Sequence, residues 1–426
     1  MKVFKFGGAS VKDAAGIRNV AEIIKVYEDD KKTLVIVSAT GKTTNALEKV
    51  VDAYYNNAVE LKDEIKKIKD NHNNICKDLF ENSNHEVFKQ LEVSFSNLER
   101  FVGEDIPDNY NYVYDQIVSY GEQLSSIILS HYLNHYGVIN DWLDVRDVLK
   151  TDDTFREAVI DWETTTQKTK EILQPMLEKH VVVTQGFIGA TLENITTTLG
   201  REGSDYTGAV FANILDAENQ TIWKDVPGVM NGDPRKFQDA IFIDELTYLE
   251  AVEMTYYGAS VIHPKTIKPI QNKNIPLFVR SFINPKGKGT KVHGTKINIK
   301  YPPVRVLKEN QALLTFHSKD FSFVSDDTVG ELLKAFFNAN LKINMIQTGA
   351  ISLQTVVNNI PEKIKEITSA VEENFSIQKE EDLTILTIRH YNDEVIQKHL
   401  KNKAPIISQK RASTFQILFK NGKLVN

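Results

Sequence analysis

Five segments combine residue types that bind or move charged groups. Lys5-Phe6-Gly7-Gly8-Ala9-Ser10 stands between an alternating apolar strand and a helix. Its two glycines let backbone amides approach an anion closely, the helix start adds partial positive charge, and Lys5 reaches phosphate oxygens. It is not a Gly-x-Gly-x-x-Gly dinucleotide fingerprint, and an ordinary strand-to-helix turn is the alternative reading. Ser38-Ala39-Thr40-Gly41-Lys42-Thr43-Thr44-Asn45 contains a Gly-Lys-Thr core, but a Walker loop needs a glycine five residues before Gly41, where the chain has Ile36. What remains is a hydroxyl-rich loop after a strand, suited to a small polar substrate or simply to the surface. In Ser119-Tyr120-Gly121-Glu122-Gln123 a carboxylate enters a helix, either to meet a substrate amine or to complement the helix dipole.

The fourth segment is the most specific: Thr196-Thr197-Thr198-Leu199-Gly200-Arg201-Glu202-Gly203-Ser204-Asp205-Tyr206-Thr207. Glycines frame an arginine, whose planar fork suits a carboxylate or phosphate, and Ser204 and Asp205 open a helix running to about residue 215. Asp205 is placed to orient a basic group. The fifth, Trp223-Lys224-Asp225-Val226-Pro227-Gly228-Val229-Met230-Asn231-Gly232-Asp233-Pro234-Arg235, is a long turn-rich loop after a strand, where α/β sheets bind ligands.

These segments need a scaffold. Apolar runs at 33–38, 181–184, 221–223 and 275–280 read as strands buried on both faces, and they alternate with helices. The first helix is expected to start at a Ser10 N-cap with Asp13 three residues later, and to run to about residue 27. Residues 47–133 are helical and highly charged, and Lys62–Lys69, mostly lysine, acid and isoleucine, reads as a solvated helix face. The pattern predicts an α/β domain with a mostly parallel sheet over residues 1–300. A loop-rich break at 285–305 precedes two strand–helix–strand–strand series. The first has strands at 312–316, 342–346 and 351–356 around a helix at 328–340; the second has strands at 383–389, 405–409 and 414–419 around a helix at 392–401. They mark two α+β domains, 311–380 and a shorter 381–426.

The 426 residues allow two or three domains, and 41% hydrophobic with 25% charged residues is ordinary for a globular protein. One cysteine, Cys76, excludes a disulfide framework and a Cys-cluster zinc site, and suits the cytosol. A net charge of −6 argues against coating nucleic acid. No apolar run reaches membrane-span length, and the first residues read as a strand rather than a signal peptide. The expectation is a cytoplasmic protein with neither a nucleic-acid nor a membrane partner.

Taken in order, the segments resemble the aspartokinases of the amino acid kinase family. That family shows Lys-Phe-Gly-Gly-Thr-Ser, Leu-Gly-Arg-Gly-Gly-Ser-Asp-Tyr, Trp-Thr-Asp-Val ending in Asp-Pro-Arg, and Phe-Gly-Ala-Lys-Val-Leu-His-Pro. The last is matched by Tyr257-Gly258-Ala259-Ser260-Val261-Ile262-His263-Pro264. The resemblance implies a three-layer, carbamate-kinase-like α/β sandwich followed by ferredoxin-like ACT regulatory domains. It implies a phosphotransferase that uses ATP to phosphorylate the L-aspartate side-chain carboxylate, the first step toward lysine, threonine, methionine and diaminopimelate. Lys5, Gly7 and Gly8 would hold the transferred phosphoryl group, and Asp205 would organise Lys5. Arg201 would clamp the substrate α-carboxylate and Glu122 its ammonium, with Ser38, Thr44, Phe187 and Ser204 lining the pocket. Ser10, Lys224, Asp225, Met230, Asp233, Arg235 and Ser260 match nucleotide-binding positions. Mg2+ would ride on the phosphates with no dedicated protein ligand.

The family implies a monofunctional homodimer joined through its ACT domains, with lysine or threonine as effector. The chain departs from the pattern at Ala9, Glu202, Lys224, Met230 and Ser260; the last replaces a lysine that meets phosphates, and Lys224 is the candidate substitute. A sibling kinase with another acceptor, or a catalytically weak ACT amino-acid sensor, are the competing readings.

Overall fold

The computed structural model describes residues 1–27, 32–259, 262–295, 299–320, 322–401 and 404–420. Ser260 lies outside them. Strands ahead of residue 300 are β1 (Lys2–Phe6), β2 (Thr33–Val37), β3 (Asn140–Leu143), β4 (Val181–Gln185), β5 (Ile188–Ala190), β6 (Thr196–Thr198), β7 (Asn219–Lys224), β8 (Val229–Met230), β9 (Phe242–Ile243), β10 (Glu245–Thr247), β11 (Leu277–Ser281) and β12 (Thr290–His293). The helices there are α1 (Ala14–Val26), α2 (Thr43–Tyr55), α3 (Leu61–Leu79), α4 (Glu86–Phe101), α5 (Tyr110–Val118), α6 (Tyr120–Tyr136), α7 (Trp162–Lys168), α8 (Gln174–Leu177), α9 (Gly203–Ile214), α10 (Tyr248–Tyr256) and α11 (Pro264–Gln271).

The chain divides into two compact units. The first comprises Met1–Val229, Phe242–Val252 and Ile262–Asn298; the second comprises Met230–Ile241, Glu253–Val261 and Ile299–Asn426. In the first, eight strands form one sheet in the order β10-β12-β11-β7-β1-β2-β4-β3. Every neighbouring pair is parallel except β11 with β12. β2 and β4 are buried at every residue, as parallel strands covered on both faces must be. The chain passes from β1 to β2 on one side and later returns to pair β7 with β1 on the other. The carboxyl ends of β1, β2 and β7 therefore flank a switch point, where doubly wound sheets bind ligands.

Ser10 does not cap the first helix. Gly8–Val11 forms a short 3-10 turn, and Asp13 caps α1 by accepting the Gly16 N–H at 2.8 Å. The carboxylate is the better acceptor, and the glycine turn leaves Ser10 buried ahead of it. The charged segment forms α3 with Ile65, Ile68, Ile75 and Leu79 turned inward. Cys76 is fully buried there, and burial pushes its thiol up to about 12. Among the described residues no helix is long and apolar enough to cross a membrane.

The second unit holds β13 (Val304–Ser318), α12 (Asp326–Asn338), β14 (Ile343–Thr348), β15 (Ser352–Asn358), α13 (Pro361–Val371), β16 (Phe375–Arg389), α14 (Asp393–Leu400), β17 (Ile407–Lys410) and β18 (Thr414–Lys420). Its six strands form an antiparallel sheet in the order β14-β15-β13-β16-β18-β17. Leu314, Phe316, Leu332, Phe336, Ile367 and Phe375 build one core under α12 and α13. Leu386, Ile388, Phe415 and Ile417 build another with α14.

The sequence spacing places short strands at 312–316 and 383–389, whereas β13 and β16 are each 15 residues long. Polar runs around left-handed Asn310 and Asp382 hide the continuity, because the ladder shifts register there and continues. β12 also lies inside the stretch that reads as a loop-rich break.

Candidate active site

Lys5 is the penultimate residue of β1, and its ammonium lies 2.7 Å from Asp205 Oδ1. Asp205 is fully buried in the first turn of α9. Burial alone would raise its carboxyl; the positive charges of Lys5 and Lys224 more than offset this and hold it below the ordinary value. Lys224 ends β7, and Asp225 after it is exposed. The Lys5 ammonium also overhangs the glycine turn: a Cβ on Gly7 would sit 3.7 Å from Nζ. Gly8 packs so closely on the loop after β2 that a Cβ there would come within 2.6 Å of the Ala39 carbonyl. Only glycine permits that approach.

Glu122, in the first turn of α6, is 3% exposed. Its Oε1 accepts the Ala39 N–H at 3.0 Å, while Oε2 is buried with no hydrogen-bond partner among the described residues. Burial pushes the carboxyl up to about 8, against the opposing pull of the Ala39 amide and the Lys5 charge. Ser10 Oγ and Thr40 Oγ1 are likewise buried and unpartnered among the described residues. Buried polar atoms in native folds find partners, so these atoms are suited to a polar ligand.

Ser38 follows β2; its N–H donates to the Phe6 carbonyl at 3.1 Å, and its carbonyl accepts the Ser125 hydroxyl at 2.8 Å. Thr44 is half-buried in the first turn of α2. Phe187 adopts left-handed backbone (φ 71°), donates its N–H to Thr207 Oγ1 at 3.0 Å and packs against Gly203. Ser204 is buried against Gly186, where a Cβ would approach Ser204 Cβ to 2.6 Å. Arg201 is exposed on the turn before α9, and Glu202 there takes φ 57° where the family has glycine. Met230, Asp233 and Arg235 belong to the second unit, with Arg235 Nη2 2.8 Å from Asp233 Oδ2.

Asp115 and Arg146 escape sequence reasoning. Asp115 is fully buried on α5 and accepts the Thr198 N–H, the Thr198 hydroxyl and the Arg156 N–H at 2.8, 2.6 and 3.0 Å. Arg146 pairs with Asp144 at 2.6 Å and also donates to Thr196 Oγ1 and Gln123 Oε1. Thr198 and Arg156 for Asp115, and Thr196 and Gln123 for Arg146, are distant in sequence, so no local spacing announces these contacts.

A sheet switch point carrying a buried lysine–aspartate pair over a glycine turn, beside a carboxylate with one open oxygen, suits transfer of an anionic group to an amine-bearing acceptor. The amino acid kinase family model matches residues 1–281, and the chain belongs to that family. It is 33% identical over 353 residues to the lysine-sensitive aspartokinase 3 of Escherichia coli (strain K12), covering 82% of this chain and 77% of the relative. The crystal structure of E. coli aspartokinase III in complex with aspartate and ADP (R-state) superposes with a TM-score of 0.81 at 28% identity, covering 99% of this chain and 96% of that one. The same enzyme in complex with lysine and aspartate (T-state) gives the same TM-score of 0.81. The chain spans 32% of the length of a bifunctional aspartokinase/homoserine dehydrogenase of Arabidopsis thaliana, to which it is 32% identical. Within the amino acid kinase family the chain is one of the aspartokinases, the aspartate kinases.

Proposed function

We propose that this chain transfers the γ-phosphoryl group of ATP to the side-chain carboxylate of L-aspartate through the residues gathered at the β1–β2–β7 switch point. A bond forms between an aspartate carboxylate oxygen and the γ-phosphorus, the bond to the β-phosphate oxygen breaks, and 4-phospho-L-aspartate and ADP result. The buried Lys5–Asp205 pair over Gly7 and Gly8 carries this reading. Lys5 and the two glycine amides neutralise the phosphoryl oxygens, and Asp205 keeps the ammonium aimed at them. The acceptor carboxylate is already ionised at neutral pH, so no general base is required.

Arg201 takes the substrate α-carboxylate and Glu122 its ammonium; Ser38, Thr44, Phe187 and Ser204 line the acceptor pocket. Ser10, Lys224, Asp225, Met230, Asp233, Arg235 and Ser260 serve the nucleotide. Mg2+ supplies further neutralisation of phosphate charge. The ion is carried mainly by the nucleotide phosphates. Residues 1–300 form the kinase domain, and 311–380 and 381–426 the ACT-type regulatory domains.

The lysine-bound T-state of E. coli aspartokinase III supports lysine as effector, and a homodimer through the ACT domains completes the reading. Activity unchanged by millimolar lysine overturns the effector assignment, and a monomeric mass in light scattering overturns the dimer. ADP release measured with L-aspartate, L-glutamate, N-acetylglutamate, carbamate and UMP tests the acceptor. Turnover with aspartate is expected, and turnover confined to another acceptor overturns it.

A further inference from the structure

We infer that Asp115 is a positioning residue for the acceptor amino acid, fixing the strand that leads to Arg201 in register with the helix that carries Glu122. The inference rests on the reading of Arg201 and Glu122 as the two ends of the aspartate clasp. Asp115 lies on α5, seven residues before Glu122, and α5 and α6 meet at Ser119, whose N–H bonds back to the Asp115 carbonyl. Its carboxylate crosses to β6. Oδ2 accepts the Thr198 and Arg156 N–H groups at 2.8 and 3.0 Å, and Oδ1 accepts the Thr198 hydroxyl at 2.6 Å. Thr198 stands three residues before Arg201.

The second wall of the turn is held by the same carboxylate. Arg156 takes a left-handed φ of 71°, and a Cβ on Gly200 would lie 2.9 Å from the Arg156 carbonyl. The backbone at 156 and the turn at 200 are therefore in direct contact, and Asp115 fastens a residue on each side. The other end of β6 is fastened to the same helices: Gln116 Nε2 donates to the Thr196 carbonyl at 2.8 Å, and Arg146 bridges Thr196 Oγ1 to Gln123 Oε1. Gln123 is the immediate neighbour of Glu122.

Burial holds the Asp115 carboxyl up at about 6 even with three hydrogen bonds to it. A buried carboxylate is an expensive way to join two elements; an apolar contact would join them without fixing register. It fixes direction because its donors come from two facing segments, two from Thr198 on β6 and one from the backbone at Arg156. The ammonium and α-carboxylate of an amino acid sit on one carbon, so the groups receiving them must hold their spacing to a fraction of an ångström.

The test measures kcat, KM for aspartate and KM for ATP in the full chain for wild type, Asp115→Ala, Asp115→Asn and Thr198→Val. Asparagine can keep its amide oxygen toward both N–H groups and donate to the Thr198 hydroxyl, so it is the conservative rescue. Asp115→Ala is expected to raise the aspartate KM about tenfold or more, with the ATP KM within about twofold, because a misplaced clasp acts on one substrate only. Asp115→Asn is expected to recover most of that loss and Thr198→Val to show an intermediate one. If Asp115→Ala does not fold, the Asp115→Asn and Thr198→Val values carry the same test. An unchanged aspartate KM in Asp115→Ala and Thr198→Val, or equal increases in both KM values, overturns the inference. A wild type that does not turn over aspartate overturns the clasp reading itself, and the inference falls with it.

Discussion

The Glu122 carboxylate accepts the Ala39 amide proton through Oε1 at 3.0 Å and leaves Oε2 buried and unpaired among the described residues. Its pKa of about 8 means that the free protein holds a proton there at pH 7. The unfolded chain loses that proton near the ordinary glutamate value of about 4.3, so this group's contribution to stability is fully present below that pH and is lost as pH rises through about 8. Docking a substrate ammonium against Oε2 favours the ionised form. Aspartate binding at pH 7 is therefore expected to release close to one proton. Titration calorimetry in buffers of different ionisation enthalpy reads this directly, and Glu122→Gln is expected to abolish the buffer dependence and weaken binding. Equal heats in all buffers would contradict it.

Lys5 and Asp205 form an ion pair with side chains only 11% and 0% exposed. Removing one partner strands the other charge, which costs about 3–5 kcal/mol at buried pairs. Lys5→Met is expected to lose stability on this scale in urea titrations, and Lys5→Met combined with Asp205→Asn to lose less. Asp205 is held below its ordinary value, so the pair's contribution is intact at neutral pH and is lost as pH falls through the folded value, below about 3.9. Asp205→Asn is expected to lower kcat by roughly a hundredfold or more, as loss of an oriented charge at a reacting centre does.

Gly186 and Ser204 meet without room for a methyl group. A Cβ on Gly186 would lie 2.6 Å from Ser204 Cβ, 2.7 Å from its Cα and 2.9 Å from Ile36 Cγ2. Gly186→Ala must push the first turn of α9 away from β4. The expected result is a loss of about 1–3 kcal/mol in urea unfolding, with a raised aspartate KM, since Ser204 and Asp205 share that turn.

Phe336 and Phe337 are neighbours on α12 with opposite fates, 2% and 84% exposed. Phe336→Ala opens a cavity in the core under α12 and is expected to destabilise by about 3–5 kcal/mol. Phe337→Ala is expected to change the stability of the monomer by no more than about 0.5 kcal/mol. Chemical denaturation of the two variants separates them, and equal losses would contradict the packing described.

The parts of the site that follow strands were legible. Lys5-Phe6-Gly7-Gly8 and Gly200-Arg201 carry glycine beside charge at strand-to-helix turns, a local signature with a local cause. Glu122 was visible as a helix-entry carboxylate, but not as a buried one. α6 is buried on nearly every side, from Gly121 through Ser130, so it shows no polar stripe from which an inward carboxylate would stand out. Asp115 bonds across 83 residues to Thr198, and Arg146 across 50 to Thr196, distances over which spacing holds no information. The same limit hid the long β13 and β16, whose hydrophobic alternation breaks at the bulge although the ladder continues.

Phosphorylation of the aspartate side chain at the Lys5–Asp205 site is read most directly from its product. Hydroxylamine traps an acyl phosphate as a hydroxamate, so the most direct measurement is aspartyl hydroxamate formation by wild type and Asp205→Ala with ATP, Mg2+ and L-aspartate. Hydroxamate from the wild type that requires both ATP and aspartate is expected, with a loss on the order of a hundredfold or more in the variant. No hydroxamate from the wild type, or equal amounts from the two proteins, would contradict it.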